Sequence, residues 1–419
     1  MKPRLGVLSL GCPRNLVDSE VILSRLVNKG YTIADLAQAQ VVLVNTCAFI
    51  KEAKEESIEA ILDLIELKKQ GRLRKIIIYG CLSQRYKDRL VKDLPQIDAF
   101  IGRLNPDKGV ERFPLTLKHY AYLKISEGCV NRCSFCIIPK IKGRLKSLPL
   151  DSISRKVREF SKAGISELNI IGQDITSYGI DLKPSVRLTA IIKNILKEAK
   201  RIKWVRLLYL NPDRLDDDLL KLFRDEEKIC KYIDLPVQHI NNRLLKLMHR
   251  KTSGKDIVSL INKVRKFIPD VAIRTSLIVG FPGETDKEFA ELLMFIKDTK
   301  FERLGVFKYS REEGTSAYNL PGQVPERVKE DRFNQVMSCQ QDISRQINGR
   351  FIGKALQVLV DESQDEGYLG RTQFDAPEVD GSVYIKSKRT LSPGDFVNIK
   401  VTDTLEYDLV GEVDNESCQ

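Results

Sequence analysis

Short, continuous apolar runs alternate with amphipathic stretches in the first part of the chain. RLGVLSL (Arg4 to Leu10), VVLVN (Val41 to Asn45) and KIIIY (Lys75 to Tyr79) predict buried parallel strands, because they are β-branched and unbroken rather than alternating. The periodic segments Asn15 to Asn28 and Lys51 to Lys69 predict crossover helices between them. Together they form a small doubly wound α/β unit.

A second βα series begins near Tyr120. Strands are expected at Ala121 to Ile125, Glu167 to Ile171, Trp204 to Leu210, Tyr232 to Leu235, Ala272 to Val279 and Arg303 to Tyr309, with helices such as Ser152 to Lys162 and Asp286 to Lys297 between them. Six such units in sequence predict an incomplete (βα)6 barrel. A Pro- and Gly-rich turn, Asn319 to Pro325, precedes a long polar helix, Glu326 to Asn348. Beyond Arg350 the pattern becomes strictly alternating: LQVLVDE, YLGRTQF, GSVYIK, DFVNIKVTD and DLVGEV predict a small all-β barrel. The expected domains are therefore 1–112, 113–349 and 350–419.

Composition narrows the class. The 419 residues are 42% hydrophobic and 30% charged, which excludes a disordered, collagenous or disulfide-dense chain. No apolar run is long enough for a membrane span, and the start lacks a signal-peptide core, so a cytosolic protein without membrane contact is expected. In a reducing cytosol the nine cysteines are expected to bind metal, catalyse or pack rather than form disulfides. The net charge of +12 suits an anionic partner such as RNA, or simply a solvated basic surface.

The cysteines carry the sharpest signal. Cys129, Cys133 and Cys136 in EGCVNRCSFC form a C-x-x-x-C-x-x-C array on one loop after a predicted strand. Three thiolates on a four-iron cubane leave one iron open to a substrate or cofactor. A zinc site lacks a suitably spaced fourth ligand, since the nearest histidine, His119, precedes the strand. Cys12, Cys47 and Cys81 each follow a predicted parallel strand of the first unit, whose strand ends border one crevice, so a second three-thiolate cluster is the natural reading. Three buried apolar residues are the alternative. Cys230, Cys339 and Cys418 have no metal spacing.

The loop array resembles the signature of the radical S-adenosylmethionine superfamily, whose partial barrel the six βα units match. The resemblance implies a [4Fe-4S] cluster on Cys129, Cys133 and Cys136, with S-adenosylmethionine chelated at the open iron and cleaved to a 5′-deoxyadenosyl radical. It places Phe135 near the adenine, Gly172, Gln173 and Asp174 near the methionine amino group, although Gly-Gln-Asp departs from the family's glycine-rich segment there, and Val279 and Gly280, within SLIVGFPGE, in a further adenine-contacting segment. With an auxiliary [4Fe-4S] cluster on Cys12, Cys47 and Cys81 and a terminal β domain, the whole chain is similar to the methylthiotransferases: cluster domain, radical barrel, TRAM domain. That resemblance implies catalysis at both cysteine sets, with one S-adenosylmethionine methylating sulfur on the auxiliary cluster and a second generating the radical.

Within the family some branches modify tRNA adenosines and one modifies an aspartate of ribosomal small-subunit protein twelve. SLGCPRNLVDSE, IPKIKGRLKS and LPVQHINNRLLKLMHR are similar to the protein-modifying branch. Charge by region agrees: residues 1–112 carry 19 basic and 14 acidic residues (net +5), 113–349 carry 43 and 29 (+14), and 350–419 carry 7 and 14 (−7). An acidic terminal barrel is ill suited to gripping phosphates and suits a basic protein, though it also serves solubility. The expected partners are protein twelve or the assembled small subunit and a low-potential electron donor, with ribosomal RNA contact available to the basic barrel. The other readings are a tRNA adenosine methylthiotransferase and a noncatalytic iron-sulfur RNA-binding protein. The latter needs every iron ligated by protein, which two groups of three cysteines do not supply. His239, after the fourth barrel strand, is expected to face the same cavity, as a ligand-binding or a structural residue.

Overall fold

A computed structural model describes residues 3–102 and 112–414; Cys418 lies outside the described residues. The first unit is an all-parallel sheet of β1 (Arg4–Ser9), β2 (Thr32–Ile33), β3 (Val41–Thr46), β4 (Lys75–Gly80) and β5 (Ala99–Ile101), in the order β2-β1-β3-β4-β5. The central strand β3 is buried along its whole length, as its unbroken apolar run requires. Helices α1 (Pro13–Asn28), α2 (Lys51–Lys69) and α3 (Cys81–Asp93) connect the strands. The order reverses between β1 and β3, so a crevice opens at their carboxyl ends.

β6 (Tyr120–Lys124) starts the second unit. A short antiparallel pair, β7 (Ser126–Glu127) and β8 (Lys146–Ser147), then brackets the cysteine loop and α4 (Ile138–Lys142). The remaining strands are β9 (Glu167–Ile171), β10 (Trp204–Leu207), β11 (Tyr232–Asp234), β12 (Ala272–Val279) and β13 (Arg303–Lys308). They pair in two parallel sheets, β10-β9-β6 and β11-β12-β13. Backbone bonds from Val205 N–H to Lys228 O (2.7 Å) and from Leu210 N–H to Asp234 O (3.0 Å) join the halves, whereas no pairing links β6 to β13 among the described residues. The barrel is thus incomplete, as expected.

Side-chain alternation divides the barrel strands between two environments. Leu123, Leu168, Ile170, Val205, Leu207 and Ile273 pack outward into one core with the helices. The positions between them place Tyr122, Glu167, Arg206, Tyr232, Arg274 and Arg303 inward. Helices α5 (Leu150–Lys162), α6 (Leu188–Glu198), α7 (Asp217–Asp225), α8 (Asn242–Leu247) and α9 (Gly254–Phe267) lie between the barrel strands, α10 (Asp286–Thr299) begins with a capping box between Thr285 and Glu288, and α11 (Glu326–Asn348) leads out of the barrel.

β14 (Ala355–Gln364), β15 (Gly367–Thr372), β16 (Val383–Lys386), β17 (Phe396–Thr404) and β18 (Leu409–Val413) close into a barrel around Val358, Val383, Val397, Ile399 and Leu409. The link between β15 and β16 enters the amino-terminal mouth of the larger barrel. There Arg303 Nε donates to Asp375 (2.8 Å), Arg274 pairs with Asp380 (3.4 Å), Tyr232 Oη donates to Asp380 (2.6 Å) and Tyr120 Oη donates to Glu378 (2.7 Å). Arg206 and Arg371 both contact Glu167 at 2.8 Å, and Arg371 also pairs with Asp361, which meets His119 at 2.7 Å. Part of the acidity of this region is therefore neutralised inside the molecule. The charge available to an outside partner is confined to exposed groups such as Glu362, Asp365, Glu366 and Glu412.

Candidate active site

Cys12, Cys47 and Cys81 stand at the carboxyl ends of β1, β3 and β4, around the crevice. Gly11 lets the first loop close on the second: its φ is +86°, and a Cβ there would meet Cys47 Cβ at 2.8 Å. Asn15 ties the three loops together. Its Nδ2 donates to Leu10 O (3.2 Å) and Thr46 O (3.4 Å), and its Oδ1 accepts from Cys81 Sγ at 3.7 Å.

The second set occupies the loop between β7 and α4. Gly128, at φ +75°, presses against the Arg144 and Gly143 carbonyls, a place no Cβ would fit. Cys129 N–H donates to Gly143 O (3.2 Å), Cys136 N–H to Cys133 O (3.1 Å), and Ser134 Oγ to Leu247 O (2.7 Å). A cavity of about 200 Å³ opens over this loop, lined by Cys129, Cys133, Phe135, Cys136, Gln173 and Asp174. Arg14 and Phe49, neighbours of Cys12 and Cys47, line the same cavity. The second cysteine set and the neighbours of the first therefore border one cleft. It is capped by the first unit through Arg85 and Lys54 on Glu312 (2.5 and 2.8 Å) and Lys51 N–H on Ser310 (3.0 Å).

All eight cysteines among the described residues are free thiols. Burial pushes the Cys81 and Cys136 thiols up to about 12 and raises those of Cys47 and Cys129. Cys12 is the exception: burial opposes its ionisation, but the Arg14 guanidinium, with Nε 3.4 Å from Sγ, brings the thiol below its ordinary value. Buried neutral thiols give up their protons when a metal replaces them. Among the described residues no three His, Cys, Asp or Glu side chains are close enough to share a single metal ion.

Of the other expected contacts, Gly172 lies behind the cavity wall, with its carbonyl accepting from Arg14 Nη1 at 3.3 Å. The Asp174 carboxylate is occupied by Asn131 (2.7 Å), Arg214 (2.9 Å) and Asn211 (3.2 Å), while Gln173 Oε1 is buried without a hydrogen-bond partner. Val279 ends β12 and Gly280 follows it, and neither lines the cleft. Ser276 and Ile278 of that strand line its apolar extension, together with Phe135 and Tyr309. His239 does not face the cavity: it is fully buried, with Nδ1 accepting from Asn241 N–H (3.0 Å) and Nε2 3.4 Å from Glu284. Its neighbour Gln238, at φ +71°, lines the cleft instead. Cys230 is buried at the barrel floor and Cys339 lies on α11, both away from the cleft.

Family models match the chain in three places: the Radical SAM superfamily over 123–296, Uncharacterized protein family UPF0004 over 4–102 and a TRAM domain over 352–413. The ribosomal protein uS12 methylthiotransferase RimO of Geotalea uraniireducens is 43% identical, covering 99% of both chains. That of Caldanaerobacter subterraneus subsp. tengcongensis is 46% identical over 97% of this chain and 99% of its own. The chain belongs to the ribosomal protein uS12 methylthiotransferase family. In fold it also resembles the radical S-adenosylmethionine methyltransferase TsrM from Kitasatospora setae, solved with cobalamin and a [4Fe-4S] cluster, at a TM-score of 0.54 and 13% identity over 76% of this chain and 77% of that one.

At this candidate site, the spacing of the cysteines said nothing of Arg14, Asn15, Asn131, Arg214 and Arg250, which surround the two sets. Arg14 and Asn15 were detectable in principle, lying two and three residues past Cys12 at the start of α1. Arg250 comes from a turn distant in sequence, where its Nη2 donates to Pro236 O (3.0 Å) and its Nη1 lies 3.9 Å from Cys133 Sγ.

Proposed function

We propose that this chain methylthiolates the β-carbon of an aspartate in ribosomal protein uS12 at the cleft shared by the two cysteine sets. The observation that carries the reading is the cleft itself: the residues beside Cys12 and Cys47 form one wall and Cys129, Cys133 and Cys136 the other. Cys129, Cys133 and Cys136 would hold one [4Fe-4S] cluster and Cys12, Cys47 and Cys81 a second, each with an iron free of protein ligands. When bound, the clusters and S-adenosylmethionine supply the methyl group, the sulfur and the one-electron chemistry that opens an unreactive C–H bond.

The chain's own residues do the rest. Phe135, Gln173 and Asp174 form the wall against which S-adenosylmethionine rests, with Gly172, Val279 and Gly280 shaping it from behind. Asp174 holds Asn131 and Arg214 in place, and the unpartnered Gln173 Oε1 is an acceptor for a ligand amine. The cap made by Arg85, Lys54 and Glu312 keeps water from the reacting carbon.

In this reading 1–112 is the auxiliary-cluster domain, 113–349 the radical barrel and 350–419 the TRAM domain. The protein works in the cytosol, where a low-potential donor reduces it and its basic barrel meets ribosomal RNA near the target. No helix among the described residues is long and apolar enough to cross a membrane. Anaerobic incubation of the reconstituted enzyme with reductant, S-adenosylmethionine, uS12 and bulk tRNA, read by mass spectrometry, tests the reading. Methylthio-aspartate in uS12 is expected; methylthio-adenosine in tRNA with unmodified uS12 would overturn it.

A further inference from the structure

Four arginines at the barrel floor, Arg206, Arg274, Arg303 and Arg371, each contact a carboxylate. Arg14, half-buried in the cleft, contacts none among the described residues. Its Nε lies 3.4 Å from Cys12 Sγ, its Nη1 donates to Gly172 O at 3.3 Å, and its guanidinium stacks 4.5 Å over the Tyr209 ring. Its Nη2 has no protein acceptor among the described residues. A planar fork held by its back edge and one face, with donors left over, is set up to receive an anion with two oxygens.

The proposed substrate supplies such an anion. The carbon that reacts in an aspartate side chain is bonded directly to the carboxylate carbon. Bringing that carboxylate into a cleft walled by Phe49, Ile138, Leu210 and Pro236 strips its water, which is costly unless a cation replaces it. Arg250 also lines the cleft without a carboxylate, but Pro236 and Cys133 hold it wholly on the barrel side. Arg14 spans from the first cysteine set to the barrel wall, where a carbon within reach of both sets must lie.

We propose that Arg14 binds the side-chain carboxylate of the substrate aspartate and so sets both the choice of aspartate and the position of its β-carbon. The inference rests on the function proposed above. It is tested by a binding cycle with the cluster-loaded enzyme and S-adenosylmethionine under anaerobic, unreduced conditions. The probes are uS12 and uS12 with its target Asp replaced by Asn; the proteins are native, Arg14→Gln and Arg14→Lys.

Replacing the target Asp should weaken binding to the native enzyme by about 10-fold, and Arg14→Gln should weaken binding of unaltered uS12 by about as much. Combining the two changes should cost little more than either alone. Arg14→Lys should recover part of the affinity and retain iron content and, in a separately reduced sample, the auxiliary-cluster EPR signal. Losses that multiply in the double change, or loss of auxiliary iron in the lysine variant, would overturn the inference. A native enzyme that leaves uS12 unmodified would refute the parent reading instead.

Discussion

The two mouths of the barrel use the same side chain in opposite ways. At the amino-terminal mouth, arginines from the strands meet Glu167, Asp375 and Asp380 in a closed, buried network. At the carboxyl-terminal mouth Arg214 pairs with Asp174, but Arg14 and Arg250, beside the thiols, meet sulfur, carbonyl and ring groups and no carboxylate among the described residues. The floor is electrostatically complete without a ligand and the top is not. Net charge by region cannot show this, because it counts a carboxylate facing an internal arginine and one facing solvent alike.

Removing the chemistry of the top should have the largest effect. Changing Cys129, Cys133 and Cys136 to Ala should abolish 5′-deoxyadenosine formation, read by chromatography, while leaving the thermal unfolding midpoint near that of the native protein prepared without clusters. The floor should respond the other way. Glu167→Ala leaves Arg206 and Arg371 buried without their shared partner and should cost about 3–5 kcal/mol, seen as a lowered unfolding midpoint. The cluster signals of the folded fraction should be unchanged. A variant that unfolds normally but loses a cluster would erase the distinction between the two ends.

Two smaller effects sharpen it. Asn15→Ala removes the side chain that ties three loops, leaves Thr46 O and Leu10 O without that donor, and should cost about 1–3 kcal/mol. Here the loss should appear as reduced iron in the first cysteine set while the second fills normally. The last concerns pH. Burial opposes ionisation of Asp361 and Glu167, but His119 and Arg371 at the one, and Arg371 and Arg206 at the other, hold both carboxyls below their ordinary values. Lowered folded values mean stability that is complete above the ordinary carboxylate range and lost as pH falls through the folded values, so the floor should loosen only below about pH 4. Asp380, pushed up by burial, works in the opposite sense and partly offsets this. Acid titration followed by Trp204 fluorescence, a probe stacked edge-on against Phe396 of the small barrel at 4.9 Å, reads the opening.

At the top of the molecule the positions of the six cysteines at strand ends and on one loop were legible before the structure, and the side chains around them were not. Strand-terminal cysteines and a spaced loop array announce themselves, because a cluster needs particular ligands at particular places. The barrel strands and the closing β domain were also read nearly to their ends. The floor was not legible: Glu167, Arg206, Arg274 and Arg303 occupy alternate strand positions, which in sequence look like any polar face, and their partners lie far along the chain, Arg371 for Glu167 and the 375–380 link for Arg274 and Arg303. His239 was misplaced for a related reason. Position after a strand does not give side-chain direction, and the positive φ at Gln238 turns the chain so that Gln238 takes the cleft and His239 the interior.

The central claim is that one cleft joins two cysteine sets with separate tasks. Its most direct test is the enzyme with Cys12, Cys47 and Cys81 changed to Ala, incubated anaerobically with uS12, reductant and S-adenosylmethionine. This variant should still form 5′-deoxyadenosine and yield no methylthio-aspartate; methylthio-aspartate from it would contradict the account.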